Sequence, residues 1–159
     1  MKRFYRVILL LLVIVLIMAI TLQGCGLKSE SQLIKIYKNL DLKDYKCQEL
    51  VADKNKSEQL AREIYIEPQL SKTLKYLEYL RKNDTKFVLY KVDYKKIEVK
   101  EQTDDTAKLL VESEVTGDFF TIKYPEKKLE SLVARPLKYE ITLKRVNNTW
   151  YISEAKPLS

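Results

Sequence analysis

The pattern of apolar and polar residues divides the chain into three stretches. Residues 7–20 form an unbroken apolar run behind a short basic start. Residues 31–82 carry apolar side chains at spacings of three and four, which predicts helices packed on a core. From Lys86 onward the period falls to two, which predicts β-strands.

The helical stretch predicts four segments. Ser29 and Gln32 form a capping box before the first helix, whose apolar face is Leu33, Ile36, Tyr37 and Leu40. A polar break is expected at residues 40–45. A short second helix then carries Cys47, Leu50 and Val51, and a third carries Leu60, Ala61 and Ile64. Pro68 is placed to open the fourth, which ends near Lys82. Cys47 is interpreted as a buried apolar residue, not as a reactive thiol.

The strands begin with Val88, Tyr90, Val92 and Tyr94 on one face, after which the phase slips to Ile97 and Val99. Such a slip indicates a β-bulge near Lys95. After a polar turn at 102–105, a second strand carries apolar residues at 107, 109, 111 and 115 and is broken at Gly117. Residues 119–135 are interpreted as a strand extension followed by a loop around Pro125.

The clearest strand places Leu137, Tyr139, Ile141 and Leu143 on one face, with charged or polar residues between them. Asn147-Asn148 is a two-residue turn of the kind that accepts positive φ. Trp150 and Ile152 then return on a final strand. Helices followed by an antiparallel meander predict an α+β fold, with N-terminal helices packed on one face of a curved antiparallel sheet.

This combination resembles the nuclear transport factor two-like family within the cystatin-like group, in which a curved sheet forms a cone round a long helix. The residues that carry the resemblance are Ile36-Tyr37 leading into Leu42-Lys43-Asp44-Tyr45, the strand Tyr139-Ile141-Leu143, and Asn147-Asn148-Thr149-Trp150-Tyr151-Ile152. The resemblance spans most of residues 31–157. The wider cystatin-like group and an unrelated α+β meander are the alternatives.

The N-terminus has the layout of an export signal, with the basic residues Lys2, Arg3 and Arg6 before the apolar run. Residues 7–20 would span about 21 Å as a helix, short of a hydrocarbon core roughly 30 Å thick. The run ends in Leu22-Gln23-Gly24-Cys25, which resembles the lipobox of bacterial lipoproteins. That resemblance implies transfer of diacylglycerol to the Cys25 sulfur and cleavage after Gly24, with Leu22 and Gln23 in the peptidase recognition site.

The expected organisation is therefore a signal peptide at 1–24, a tether at 25–30 and a single exported domain at 31–159. More than one acyl chain anchors a protein stably, so we expect the mature chain on the outer face of the cytoplasmic membrane, held in the lipid bilayer by acylated Cys25. The alternative is an uncleaved signal anchor with the domain outside. With Cys25 acylated, Cys47 has no disulfide partner within the chain.

Charge and composition limit the partners and cofactors that we expect for this chain. The chain has 29 Lys+Arg and 22 Asp+Glu, and removal of the signal peptide leaves an excess of four positive charges. Because Lys alternates with Glu and Asp and forms no dense basic run, no nucleic-acid partner is expected. There is no His, and only 3 Gly are present, so no cofactor or metal motif is recognised.

Candidate chemistry on the exported domain is sparse. Enzymes of the resembled family use a cavity Asp or His with a polar Tyr, but alternation turns Asp93 and Glu140 away from the inward faces, and Asp104-Asp105 lies in a turn. Tyr90, Tyr94 and Tyr139 are expected on the inward face, where they either line a pocket or simply suit a half-buried sheet.

We therefore expect no catalytic residues and a domain that binds an envelope protein or a small ligand. A structural role by self-association at the membrane and a small-molecule enzyme in a cavity of the same fold are the alternatives. A deep pocket with a desolvated carboxylate beside a Tyr hydroxyl would contradict the non-catalytic interpretation.

Cys25→Ser is predicted to abolish lipid labelling and to leave uncleaved precursor in the membrane, because the thiol is the acyl acceptor. Metabolic labelling with a fatty acid and mass spectrometry of the membrane fraction test this. An intact, unacylated chain from Met1 to Ser159 in wild-type cells would contradict it.

Overall fold

The computed structural model describes residues 29–158. The expected signal peptide, the recognition residues Leu22, Gln23 and Gly24, the acylation site Cys25 and most of the tether lie outside this range. Within it, no helix combines the length and apolar character that crossing a bilayer requires.

Three helices precede four strands. The helices are α1 (Glu30–Glu49), α2 (Lys54–Ile64) and α3 (Gln69–Lys82). The strands are β1 (Thr85–Gln102), β2 (Thr106–Thr121), β3 (Lys128–Val146) and β4 (Thr149–Pro157). They pair in the order β1-β2-β3-β4 as one open antiparallel sheet, and the helices pack on one of its faces. The α+β class predicted from the sequence is thereby confirmed.

Helix α1 begins as predicted, since the Ser29 side chain accepts a hydrogen bond from the Gln32 backbone N–H. The predicted break at 40–45 is wrong, because α1 continues through it to Glu49. The two aspartates of that stretch are each bonded within the helix, Asp41 to Tyr37 and Asp44 to Gln48, four residues away. These i,i+4 contacts offset the low helix propensity of Asp.

The bulge predicted near Lys95 is present, since the β1–β2 register shifts between Tyr94 and Lys96. A second shift, between Leu89 and Lys91, was not predicted. This shift moves the residues before it to the opposite faces of the sheet, so that Phe87 is buried and Tyr90 is 57% exposed. The expected inward position of Tyr90 is therefore wrong.

Strand β2 also differs from expectation, because it runs through Gly117 to Thr121. Glycine is needed there for space, since a Cβ would collide with the Phe87 ring and the Val88 carbonyl. The loop around Pro125 is present but short, and β3 begins at Lys128, before the expected position. Asn147 and Asn148 have φ values of 48° and 65°, as the turn prediction required.

The core lies between the helices and the inward face of the sheet. Its fully buried members include Leu33 and Cys47 of α1, Leu77 of α3, Leu109 of β2 and Leu143 of β3. Trp150 of β4 is 5% exposed and belongs to the same cluster. The closing hairpin therefore fixes β4 under the helices.

The accessible face of β1 and β2 carries a series of ion pairs. Lys95 contacts Asp93 at 2.7 Å and Glu114 at 3.2 Å, and Glu98 contacts both Lys96 and Lys100 at 2.8 Å. Pairs exposed to this degree each contribute about 0–1 kcal/mol. Their main effect is to keep this edge of the sheet charged and hydrated.

Trp150→Ala is predicted to lower the free energy of unfolding by about 3–5 kcal/mol, because it empties a large volume of the core. Trp150→Phe is expected to cost much less, since it keeps an aromatic ring and the buried indole N–H has no acceptor among residues 29–158. Denaturant unfolding followed by circular dichroism measures both. Tyr124→Ala, at a side chain 61% exposed, is the control and should change the value by less than about 0.5 kcal/mol. Wild-type Trp emission typical of a water-exposed indole would contradict the prediction.

Candidate functional site

A cleft of about 440 Å³ lies between the helices and the middle of the sheet. Helix α1 forms one wall, the first half of α3 another, and the inward residues of β2 and β3 line the sheet side. Five of the 11 tyrosines of the chain line it, namely Tyr37, Tyr45, Tyr65, Tyr76 and Tyr139. A concave site with aromatic walls and a few polar groups has the general character of a small-molecule site.

Helix α1 contributes the acidic side of the cleft, which we call the floor. Tyr37, Asp41, Asp44, Tyr45 and Gln48 are separated by steps of three and four or lie adjacent to one another, so they share one face of the helix. This face exists only because the helix is continuous through residues 40–45.

Asp41 connects the floor to the sheet. The Tyr37 hydroxyl donates to Oδ1 at 3.2 Å, and the Tyr94 hydroxyl of β1 donates to Oδ2 at 2.6 Å. The two tyrosine rings meet edge-on, with centroids 6.4 Å apart. The Lys38 ammonium lies 4.9 Å above the Tyr94 ring. One carboxylate is thereby fixed by donors from two elements.

Asp44 lies one turn further along α1. Gln48 Nε2 donates to Asp44 Oδ2 at 2.9 Å, and the Tyr65 hydroxyl is a second hydrogen-bond donor to this carboxylate. Tyr65 is positioned by β4, because it pairs with Ile152 as an isolated bridge and the Ile66 N–H donates to the Ile152 carbonyl. The link between α2 and α3 is therefore attached to the sheet next to the cleft.

Burial dominates the electrostatics of both acids. It raises the pKa of Asp41 to about 6, against the opposing effect of the hydrogen bond from Tyr94 and with a further contribution from the charge of Asp44. Burial also raises the pKa of Asp44, although hydrogen bonds from Tyr65 and Gln48 oppose it. No Lys or Arg among residues 29–158 forms an ion pair with either carboxylate.

The pKa values of the neighbouring tyrosine hydroxyls are raised as well. Burial, with the negative charge of Asp41 as the next cause, raises the pKa of Tyr37 and of Tyr94 well above the usual value. Both phenols therefore stay protonated at every pH the protein meets. They act as fixed hydrogen-bond donors to Asp41.

The part of the cleft lining contributed by Lys72 and Arg135, which we call the rim, carries positive charge. Lys72 of α3 and Arg135 of β3 both line the cleft and are exposed. Within the described part of the chain neither has an ion-pair partner. The cleft thus has uncompensated acids on the floor and uncompensated bases on the rim.

The residues singled out in the sequence fall partly inside this arrangement. Tyr94 and Tyr139 lie against the core, as predicted, whereas Tyr90 donates to Asp118 at 2.9 Å on the other face. Asp93 pairs with Lys95, and Asp104 and Asp105 lie in the β1–β2 turn, away from the cleft. Glu140 is exposed. Cys47 is fully buried, and burial raises the pKa of its thiol to about 12, so thiolate chemistry is disfavoured.

The sequence interpretation missed Asp41 and Asp44. Leu40 and Cys47 are seven residues apart, so a helix continued between them places Asp44 on the inward stripe. The break predicted at this polar residue is wrong, because the helix continues and Asp44 belongs to the site. A carboxylate shielded from water beside Tyr hydroxyls is therefore present in the cleft, which is the arrangement expected to contradict a non-catalytic interpretation.

Comparison with known proteins adds a likeness of fold. No protein-family profile and no curated protein matches the chain. The crystal structure of the intermembrane-space region of the chloroplast protein ARC6 is similar over 79% of this chain and 95% of that one, at 14% identity and a TM-score of 0.57. A solution structure of a de novo designed β-sheet protein aligns over 80% of this chain and 88% of that one, at 15% identity and a TM-score of 0.39. At these identities the comparison with the ARC6 region concerns the fold alone.

Asp41→Asn is predicted to change how stability depends on pH. A pKa raised from 3.8 to about 6 means that the folded state holds the proton more tightly than the unfolded state. This contribution to stability is fully present below pH 3.8 and is lost as the pH rises through about 6, by roughly 1–3 kcal/mol. The Asn variant lacks this loss. Denaturant unfolding at pH values between 4 and 7 measures the difference.

Asp104→Asn, in an exposed turn, is the matched control and should keep the wild-type pH dependence. Identical pH profiles for wild type and Asp41→Asn would show that Asp41 is not desolvated in solution.

Proposed function

We propose that the chain is a membrane-tethered extracytoplasmic domain that binds a small organic molecule in the cleft. One observation carries this proposal. Two half-buried carboxylates without a cationic partner among residues 29–158 line a 440 Å³ cleft with aromatic walls. Uncompensated buried charge is costly to a fold, and a bound ligand that compensates it is a physical reason for keeping it.

The membrane part of the proposal rests on Leu22-Gln23-Gly24-Cys25, with acylation at Cys25. Helix α1 begins at Glu30, five positions later. It runs antiparallel to β1, since Tyr37 contacts Tyr94 and Tyr45 contacts Phe87. The N-terminal end of α1 therefore lies towards the end of the sheet that carries the β1–β2 turn.

We also propose kinship with the nuclear transport factor two-like family. A helix of 20 residues lying along a four-stranded sheet with several bulges supports it. The open sheet order β1-β2-β3-β4 departs from a closed cone, so the proposed kinship concerns the arrangement of a long helix on an antiparallel sheet with bulges.

Acid–base catalysis in the cleft is the second candidate. The pKa of Asp41, about 6, favours it, since such a carboxyl can exchange a proton near neutral pH. The hydrogen bonds favour binding, because each oxygen of Asp41 already accepts from a tyrosine. The two phenol protons are therefore directed at Asp41 and are not presented to a substrate.

Blocking the cleft tests the proposal. The full chain in lipid nanodiscs is screened by ligand-observed NMR against a library of small polar metabolites. We expect to find ligands that bind wild type and whose affinity falls at least about tenfold in Leu132→Trp. Leu132 lines the cleft. Leu129→Trp is the matched control, because Leu129 lies on the same strand, 48% exposed and outside the cleft.

If no ligand distinguishes the two tryptophan variants, the small-molecule proposal is wrong. Conversion of a bound molecule by wild type, lost in Asp41→Asn, would establish the catalytic candidate in its place.

A further inference from the structure

We infer that the ligand of the cleft is a zwitterion, with its ammonium group on the floor between Asp41 and Asp44 and its carboxylate or phosphate on the rim at Lys72 and Arg135. The inference rests on the proposed function and names the class of small molecule.

The floor offers acceptors and few donors. The Tyr37 hydroxyl proton is used on Asp41, and hydrogen bonding to Asp44 occupies the Tyr65 hydroxyl and one Gln48 N–H. The spare lone pairs of the carboxylate and phenol oxygens remain, together with two donors that have no partner among residues 29–158, the Tyr45 hydroxyl and the second Gln48 N–H. A hydroxyl, carboxylate or carbonyl of a ligand would leave these acceptors partly unmatched. An ammonium group, with three donors and no acceptor, matches them.

Charge and aromatic faces favour the same group. Neither aspartate has a cationic partner among residues 29–158, so an ammonium would supply the missing compensation. Tyr45, Tyr76 and Tyr139 add aromatic surface around the floor. Aromatic rings attract an organic cation through the negative potential of their faces, more strongly where water is displaced.

The rim selects the other end of the ligand. Lys72 and Arg135 come from different elements, α3 and β3, and both line the cleft without an ion-pair partner within residues 29–158. Arginine with lysine is a favourable pair for a carboxylate or phosphate. A ligand with one positive and one negative end therefore satisfies both sides of the cleft, whereas a simple cation or anion satisfies only one.

This chemistry has two sources near a membrane, a free solute such as an amino acid or short peptide, and the ethanolamine phosphate headgroup of a lipid. Two probes separate them. Unbranched ω-amino acids of increasing length represent the free solute, and glycerophosphoethanolamine represents the headgroup. Pentylamine and pentanoate serve as the singly charged references.

Isothermal titration calorimetry on the full chain in phosphatidylcholine nanodiscs measures binding. We expect the best zwitterion to bind at least about tenfold more tightly than pentylamine or pentanoate. Loss of a charged hydrogen bond in Asp44→Asn should weaken the zwitterion and pentylamine roughly 10- to 100-fold. Lys72→Gln and Arg135→Gln should weaken the zwitterion and leave pentylamine unchanged.

Lys75→Gln is the matched control for the rim, because Lys75 is exposed on the same helix and does not line the cleft. The rim variants are at exposed positions, so they keep the test valid even if Asp44→Asn fails to fold, which circular dichroism reports. Repeating the titration in nanodiscs that contain phosphatidylethanolamine identifies the source. Weaker apparent binding of the soluble zwitterion there indicates the lipid headgroup, and unchanged binding indicates a free solute.

Zwitterions that bind no better than the singly charged references overturn the inference. A neutral molecule would also overturn it if its binding is weakened by Leu132→Trp and is unchanged by Asp44→Asn and Lys72→Gln. The small-molecule function would stand in both cases. Absence of any ligand sensitive to Leu132→Trp would remove the proposed function as well.

Discussion

The hydrogen bond from Tyr94 to Asp41 is the interaction on which the arrangement of helix and sheet depends. It is short, 2.6 Å, and it joins residues 53 positions apart in the chain. By joining the middle of α1 to β1 it holds the helix face that carries Asp44 and Tyr45 toward the cleft. The acidic floor of the cleft depends on this orientation, whereas β4 positions Tyr65 beside it.

The same interaction explains how a fold tolerates two acids close together near its core. Desolvation and mutual repulsion disfavour the charged forms, and donors from Tyr37, Tyr94, Tyr65 and Gln48 favour them. Hydrogen bonds to charged groups are about twice as strong as neutral ones, but the direction of the net shift shows that they do not fully compensate burial. The floor is therefore rigid in geometry and incompletely neutralised in charge.

Regular periodicity made most of the fold predictable, and local irregularity limited the rest. The cap at Ser29, the turn at Asn147-Asn148 and the bulge near Lys95 each have a residue-level signal, and the structure contains all three. The bulge at Tyr90 has no such signal, because the apolar and polar residues on either side of it alternate regularly. This bulge turns Tyr90 to the opposite face of the sheet. Asp44 was missed since a polar residue on an apolar stripe is equally typical of a break and of a site. Only partners distant in sequence, Tyr65 and Tyr94, decide between them.

The edge strand β1 has a further consequence for a protein anchored as proposed. Copies confined to one leaflet meet far more often than copies in solution, and an exposed strand edge is a template on which a neighbour's strand can add. The β1–β2 ladder is interrupted at three register shifts, and β1 carries Lys91, Lys95, Lys96 and Lys100. Such an edge is irregular in its hydrogen-bonding positions and lined with hydrated, charged side chains. For a chain anchored as proposed, these features disfavour a sheet shared between neighbouring molecules through β1.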